Sequence, residues 1–131
     1  MTIREALVAR DPLKKLATGH FTNFKVARDI ATLIKAINNE FEFFESESKK
    51  LIETYAEFDE NNSPKILPDG SIQLKSKEAK ESFEAEYNNL LDLDISDKVN
   101  VLAIAISDFK DADLLTPLEI SALSCIIDWI D

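Results

Sequence analysis

The chain of 131 residues carries 25 Asp and Glu against 15 Lys and Arg, a net charge of −10, and is 45% hydrophobic and 31% charged. This length suits one domain able to bury its own core, the composition excludes disorder, and no apolar run approaches the ~18 residues of a membrane span. The charge is uneven: residues 1–35 hold seven basic and three acidic side chains, net +4, and residues 36–131 hold eight and twenty-two, net −14. An acidic body of this kind argues against direct DNA or RNA binding. It fits a basic partner protein, a mimic of nucleic-acid charge, or solubility alone.

The first segment, 1–20, opens with Thr2-Ile3-Arg4-Glu5, a capping box. It is helical and charged, without the apolar centre of a signal peptide. Asp11-Pro12 interrupts it, with Asp as N-cap and Pro at the first position of a second short helix through Leu16. Gly19 and His20 read as its terminator.

The strongest periodic signal follows over 23–58, with Thr22 or Asn23 as N-cap. Ile30, Ile34, Ile37, Phe41, Phe44, Ser48, Leu51, Tyr55 and Phe58 recur at steps of three and four, and only Ser48 is not apolar. Val26, Leu33 and Phe43 widen the stripe. A straight helix of that span is ~54 Å long, against a diameter of roughly 36 Å for a compact domain of this size. Either it breaks, at Asn38-Asn39 or Ser46 to Ser48, or it projects and packs on another copy. Three phenylalanines in four residues cannot share one stripe, so Phe43 needs cover from elsewhere. The expected interaction residues are therefore Ile37, Phe41, Phe43 and Phe44, with Ile66 and Ile72 of the next element.

After a polar loop, Pro64 to Leu74 (PKILPDGSIQL) predicts a β-hairpin with Pro68 and Asp69 at the centre of a type I turn and Gly70 in a left-handed bulge. That register pairs Leu67 with Ser71, Ile66 with Ile72, Lys65 with Gln73 and Pro64 with Leu74. One face is then apolar, and an isolated ribbon is only marginally stable, so the hairpin is expected to act as a structural clasp. Ser76 caps a helix over 76–91 whose apolar positions are Ala79, Phe83, Tyr87, Leu90 and Leu91. Segment 92–115 is mixed: Leu93/Ile95 and Val99/Val101 alternate like strands, LAIAIS fits a strand or a buried helical turn, and 108–113 is an acidic loop. Thr116-Pro117-Leu118-Glu119 combines a capping box with proline at the first helical position, predicting a helix over 117–130. The whole predicts a single domain, 1–131, of mainly α class (α+β minor): a long central helix, shorter helices, one small β-hairpin, and a third short strand as one alternative for 92–106.

Chemistry-bearing residues are sparse. His20 has no partner within a motif, and a general base needs one in hydrogen-bonding reach. Cys125 sits in the apolar pattern SCIIDWI and reads as a small core residue; a single cysteine allows no internal disulfide, which fits a reducing cytoplasm. Asp92, Asp94 and Asp97, and then Asp108, Asp111 and Asp113, offer oxygen ligands but lack the glycine and glutamate of a calcium loop, so solvated loops are the expectation. Trp129 and Phe109 read as core. No catalytic residue, metal ligand or cofactor-binding residue is assigned.

Four phrases carry a resemblance: VARDIATLIKAINNEFEFFESESKKLIETYAEFDE, KILPDGSIQL, FEAEYNNLLDLDI and LTPLEISALSCIID. In this order, over about the last four-fifths of the chain, they resemble a family of short, largely uncharacterised proteins of tailed phages and prophages of Gram-positive bacteria. The resemblance implies a phage origin and a helical fold with a small β element, and it carries over no catalytic residue. The expected function is a non-enzymatic accessory or assembly protein, in the cytoplasm of the bacterial host, that self-associates through the long helix and binds a phage or host protein. The alternative is an acidic inhibitor of a basic nucleic-acid-handling or defence protein of the host.

Overall fold

The computed structural model describes residues 1–111 and 113–130. Its elements are α1 (Ile3–Leu16), α2 (Phe24–Tyr55), α3 (Lys77–Leu91), β1 (Leu102–Ala105), a 3₁₀ turn at Ile106–Asp108, α4 (Pro117–Leu123) and β2 (Ile127–Ile130). The protein is thus mainly helical, with one long helix and a small two-stranded sheet. By its contacts the chain divides into two compact units, Met1–Phe41 with Leu93–Asp131, and Glu42–Asp92.

In the first unit, α1 begins where local chemistry puts it. The Thr2 hydroxyl accepts from the Glu5 amide, and the Glu5 carboxylate accepts from the Thr2 amide. The expected break at Asp11-Pro12 does not occur, because Pro12 lies inside a continuous helix. Proline removes one intrahelical bond, but Pro12 is buried beside Ala9, Leu13 and Leu16, and tertiary packing outweighs the lost donor. Past the Ala17 C-cap, the Gly19 amide donates to the Leu16 carbonyl.

α2 is unbroken for 32 residues, about 48 Å, with the Asn23 side chain accepting from the Lys25 amide at its start. Neither Asn38-Asn39 nor 46–48 interrupts it. Its stripe is divided between the units. Ile30, Leu33, Ile37 and Phe41 are buried in the first, at 1–6% exposure, whereas Phe44, Ser48, Leu51 and Tyr55 are half-buried in the second. Helix length alone therefore does not call for a second copy. Phe58, expected at the end of the helix, lies instead in an extended segment bridged to Pro64.

The last element departs most from expectation. The predicted helix 117–130 stops at Leu123, and 127–130 is a strand paired in parallel with 102–105, in register Leu102↔Ile127 to Ala105↔Ile130. The two strands are separated by 21 residues of the chain, long enough for the crossover that parallel pairing requires. The apolar positions Ile126, Ile127 and Ile130 fit both periods, and β-branched residues with a tryptophan favour the extended one once a partner strand is present. Ile104, Ile126 and Ile127 are at most 2% exposed, each such side chain contributing roughly 1.5–3 kcal/mol. Of the segment 92–106, LAIAIS is thus a strand over 102–105, whereas Leu93/Ile95 and Val99/Val101, expected to alternate like strands, lie outside any strand. The N-terminal half of α4 is as read: the Thr116 hydroxyl accepts from the Glu119 amide, with Pro117 at the first position. Lys15 of α1 pairs with Glu119 at 2.9 Å.

The second unit, 42–92, joins the end of α2 to α3 through a small β arrangement. The turn forms as predicted: the Gly70 amide donates to the Leu67 carbonyl at 2.9 Å, Gly70 has φ +88°, and the Asp69 carboxylate accepts from the Ser71 amide. The pairs Leu67–Ser71, Ile66–Ile72 and Lys65–Gln73 follow. The fourth does not. Pro64 is bridged to Phe58 and Leu74 to Ala56, because the segment after α2 enters between the two arms. Three backbone bonds close a ring: Glu57 donates to Gln73 at 2.9 Å, Gln73 to Lys65 at 2.8 Å, and Lys65 to Glu57 at 2.8 Å. Each segment pairs with both others, which answers the exposed-edge problem of a lone hairpin. Ala56, at 0% exposure, sits in this ring. Asn62, with φ 63°, makes the other turn, at a residue type that tolerates the left-handed region.

Candidate functional site

An open groove of about 950 Å³ lies wholly within 42–92, walled by α2, the hairpin and α3. Phe44, Ser48 and Ile52 enter from α2 at helical spacing. Leu67, Ile72 and Leu74 come from the hairpin, and Phe83 and Tyr87 from α3. The hairpin can present these residues because its turn geometry sets the register. α3 can because the Ser76 hydroxyl accepts from the Ala79 amide and fixes where the helix begins. The aromatic rings contact one another: Phe83 stacks on Tyr87 at 5.7 Å, Tyr87 meets Phe44 at 5.9 Å, and Tyr55 meets Phe83 edge-on at 6.4 Å. The Glu86 carboxylate, hydrogen-bonded to the Tyr55 hydroxyl, holds that phenol above its ordinary pKa.

Packing in this unit is shallow. α3 buries no residue, and Ala56 is the one buried hydrophobic residue between 42 and 92. The Ser48 hydroxyl, the single polar position of the α2 stripe, is shielded from solvent and has no hydrogen-bond partner among the described residues. The rim has its own charge pattern. The unit carries thirteen carboxylates and six lysines, net −7, yet Lys49, Lys77 and Lys80 line the groove with only Glu45 and Glu84 beside them. None of the three lysines is ion-paired among the described residues.

The six expected interaction residues separate accordingly. Phe44 and Ile72 line the groove. Phe43 and Ile66 are exposed, at 44% and 61%. Ile37 and Phe41 are core residues of the first unit, which removes them from any accessible surface; the Arg10 guanidinium stands 4.9 Å from the Phe41 ring centre. The groove residues that sequence reasoning missed include Ser48, Lys49, Lys77, Lys80, Phe83 and Tyr87. The lysines around Ser76 and the Phe83/Tyr87 pair were the available signal.

Outside the groove, the residues weighed for chemistry serve local structure. His20 does have a partner: its Nδ1 lies 3.0 Å from the Asp111 carboxylate, which also accepts the His20 amide at 2.6 Å and is held below the ordinary carboxylate range by these contacts. The pair is well exposed, and no motif signals it because ninety-one positions separate the two. Asp94 accepts from the Ser96 hydroxyl and amide, which lowers its pKa. Asp108 accepts from Thr22. In the acidic loop 108–113, position 112 lies outside the described residues. Among the described residues no group of three or more His, Cys, Asp or Glu is placed to hold a metal ion. Cys125 is partly buried, and desolvation raises its pKa, the reverse of an activated thiol. Phe109 stacks on Phe21 at 5.1 Å and meets Trp129 at 5.8 Å; both residues, expected in the core, are half-buried in this aromatic cluster rather than part of the buried core.

Among the described residues no helix is long and apolar enough to cross a membrane. The chain matches no protein-family model, no curated protein and no solved structure.

Proposed function

We propose that this is a non-enzymatic binding protein, an accessory or assembly protein of phage or prophage origin that holds a protein partner in the groove of its 42–92 unit. The observation that carries the reading is the unfinished core of that unit: α3 with no buried residue, beside an open aromatic-lined groove. A segment of about fifty residues buries too little apolar surface to be stable by itself, so covering this groove would stabilise the unit as well as bind the partner. Apolar grooves with aromatic anchors are the usual centres of protein recognition. Self-association is a second part of the proposal, supported by the exposed Phe43 and Ile66 and tested by light scattering across a concentration series.

The test of partner binding compares the immobilised full chain with Ile72→Ser and Phe83→Ser in extracts of phage-infected Gram-positive cells, each variant first shown by circular dichroism to keep its helix content. The expected result is a protein retained by the parent chain and released by both variants. Retention of the same proteins by all three chains would overturn the reading.

A further inference from the structure

We propose that the groove of the 42–92 unit seats an acidic amphipathic helix of a partner protein, its apolar face on Phe44, Ile72 and Phe83 and its carboxylates on Lys49, Lys77 and Lys80. The inference rests on the binding-protein reading and adds the chemistry of the occupant.

Size comes first. Two turns of α-helix are about 11 Å long and ~10 Å across, displacing roughly 850 Å³, close to the 950 Å³ of the groove. The openness of the site comes second. Its lining residues are half-buried or exposed, so an occupant keeps one side in water. An alkyl chain or wholly apolar ligand would leave that side unsatisfied, whereas an amphipathic helix presents a polar face there.

Charge decides the sign. Three of the six lysines of a unit with net charge −7 stand on this one rim, none of them ion-paired among the described residues. At the rim itself the three lysines outnumber Glu45 and Glu84, so the carboxylates of a docked helix meet an excess of opposite charge there. A second copy offering its own groove would bring lysine against lysine and would leave half of the rim uncompensated.

The experiment uses the full chain and two synthetic amphipathic helices that share one leucine face, one flanked by Glu and the other by Lys, each labelled for fluorescence anisotropy. The Glu-flanked peptide is expected to bind at least about tenfold more tightly than the Lys-flanked one, and to weaken by a similar factor between low salt and about 0.5 M. The triple variant Lys49→Glu/Lys77→Glu/Lys80→Glu should reverse the preference, and Ile72→Ser should weaken both peptides alike. Because the peptide pair and the salt series need only the parent chain, misfolding of a variant does not blunt the test. Equal binding of the two peptides, binding indifferent to salt, or displacement of the peptide by dimerisation of the chain would each overturn the proposal. If the peptides fail while a captured protein still depends on Ile72 and Phe83, only the acidic-helix occupant is refuted. If groove-dependent capture fails as well, the binding-protein reading falls with it.

Discussion

Replacing Gly19 by alanine should destabilise the first unit by about 1–2 kcal/mol, although the same change at most helix ends is mild. The backbone there is not left-handed, since Gly70 is the positive-φ glycine, so the cause is space. An alanine Cβ at position 19 would lie 2.5 Å from Cε2 of Phe109, 3.1 Å from the Leu16 carbonyl oxygen and 3.3 Å from Cζ of Phe109. The ring cannot swing aside freely. It is stacked on Phe21 at 5.1 Å and leans on Trp129 at 5.8 Å. Its backbone is held by bonds from Thr22 to Asp108 and from Lys110 to His20, each 3.0 Å. Overpacking of this kind costs about 1–3 kcal/mol, and a loosened aromatic pair adds ~0.5–1.5 kcal/mol. Against this, the smaller conformational freedom of alanine in the unfolded chain returns ~0.4–1 kcal/mol. The clash wins. Urea unfolding followed by fluorescence of the sole tryptophan, Trp129, reads the effect where it arises, because Phe109 touches that ring. The midpoint should fall without a change of slope. Phe109→Leu should also destabilise, but the double variant should be less unstable than the two losses added, with a coupling of about 1 kcal/mol. A midpoint unchanged or raised in Gly19→Ala, or strict additivity in the double variant, would refute the close approach of Phe109 to Gly19.

Gly70 is the opposite case: nothing lies within 4 Å of a Cβ built there, but φ is +88°, so Gly70→Ala should cost about 1–2 kcal/mol through backbone strain alone, and Gly70→Asn less; a hairpin equally stable in all three chains by hydrogen exchange of the Gln73 amide would contradict the turn. Asp94, Asp111 and Glu119 all have lowered pKa values, through Ser96, through His20, and through the Thr116 amide with Lys15. A carboxylate depressed in the folded state binds fewer protons there than when unfolded, so its contribution is complete above the unfolded value of about 4 and is lost as pH falls through the folded value. Thermal midpoints should therefore hold level from neutrality to about pH 5 and drop below about pH 4, and Glu119→Gln should flatten that drop; an acid slope identical in the variant would remove Glu119 from the account.

Contacts spanning four residues or fewer are legible in the chain itself. The capping boxes of Thr2 with Glu5 and of Thr116 with Glu119, the Ser76 cap, and the turn through Pro68, Asp69 and Gly70 all join near neighbours, so their chemistry is complete in a short window. The apolar stripe of α2 is legible for the same reason, since one period of 3.6 suffices to show it. Long-range competition decided the rest. Pro12 stays helical because of what buries it, and 127–130 is extended because 102–105 lies beside it, although its own pattern fits a helix. The ring of Glu57, Lys65 and Gln73 joins three segments that have no mark of one another in composition. The groove is a product of the same kind. Phe44, Ile72 and Phe83 are ordinary apolar positions in three separate elements, and Lys49, Lys77 and Lys80 are ordinary surface charges, until folding sets them around one opening. Sequence alone determined where α1, α3 and α4 begin and which way the face of α2 points. Which faces meet, and which one is left uncovered, is a property of pairings between distant segments, whose energies no local window contains.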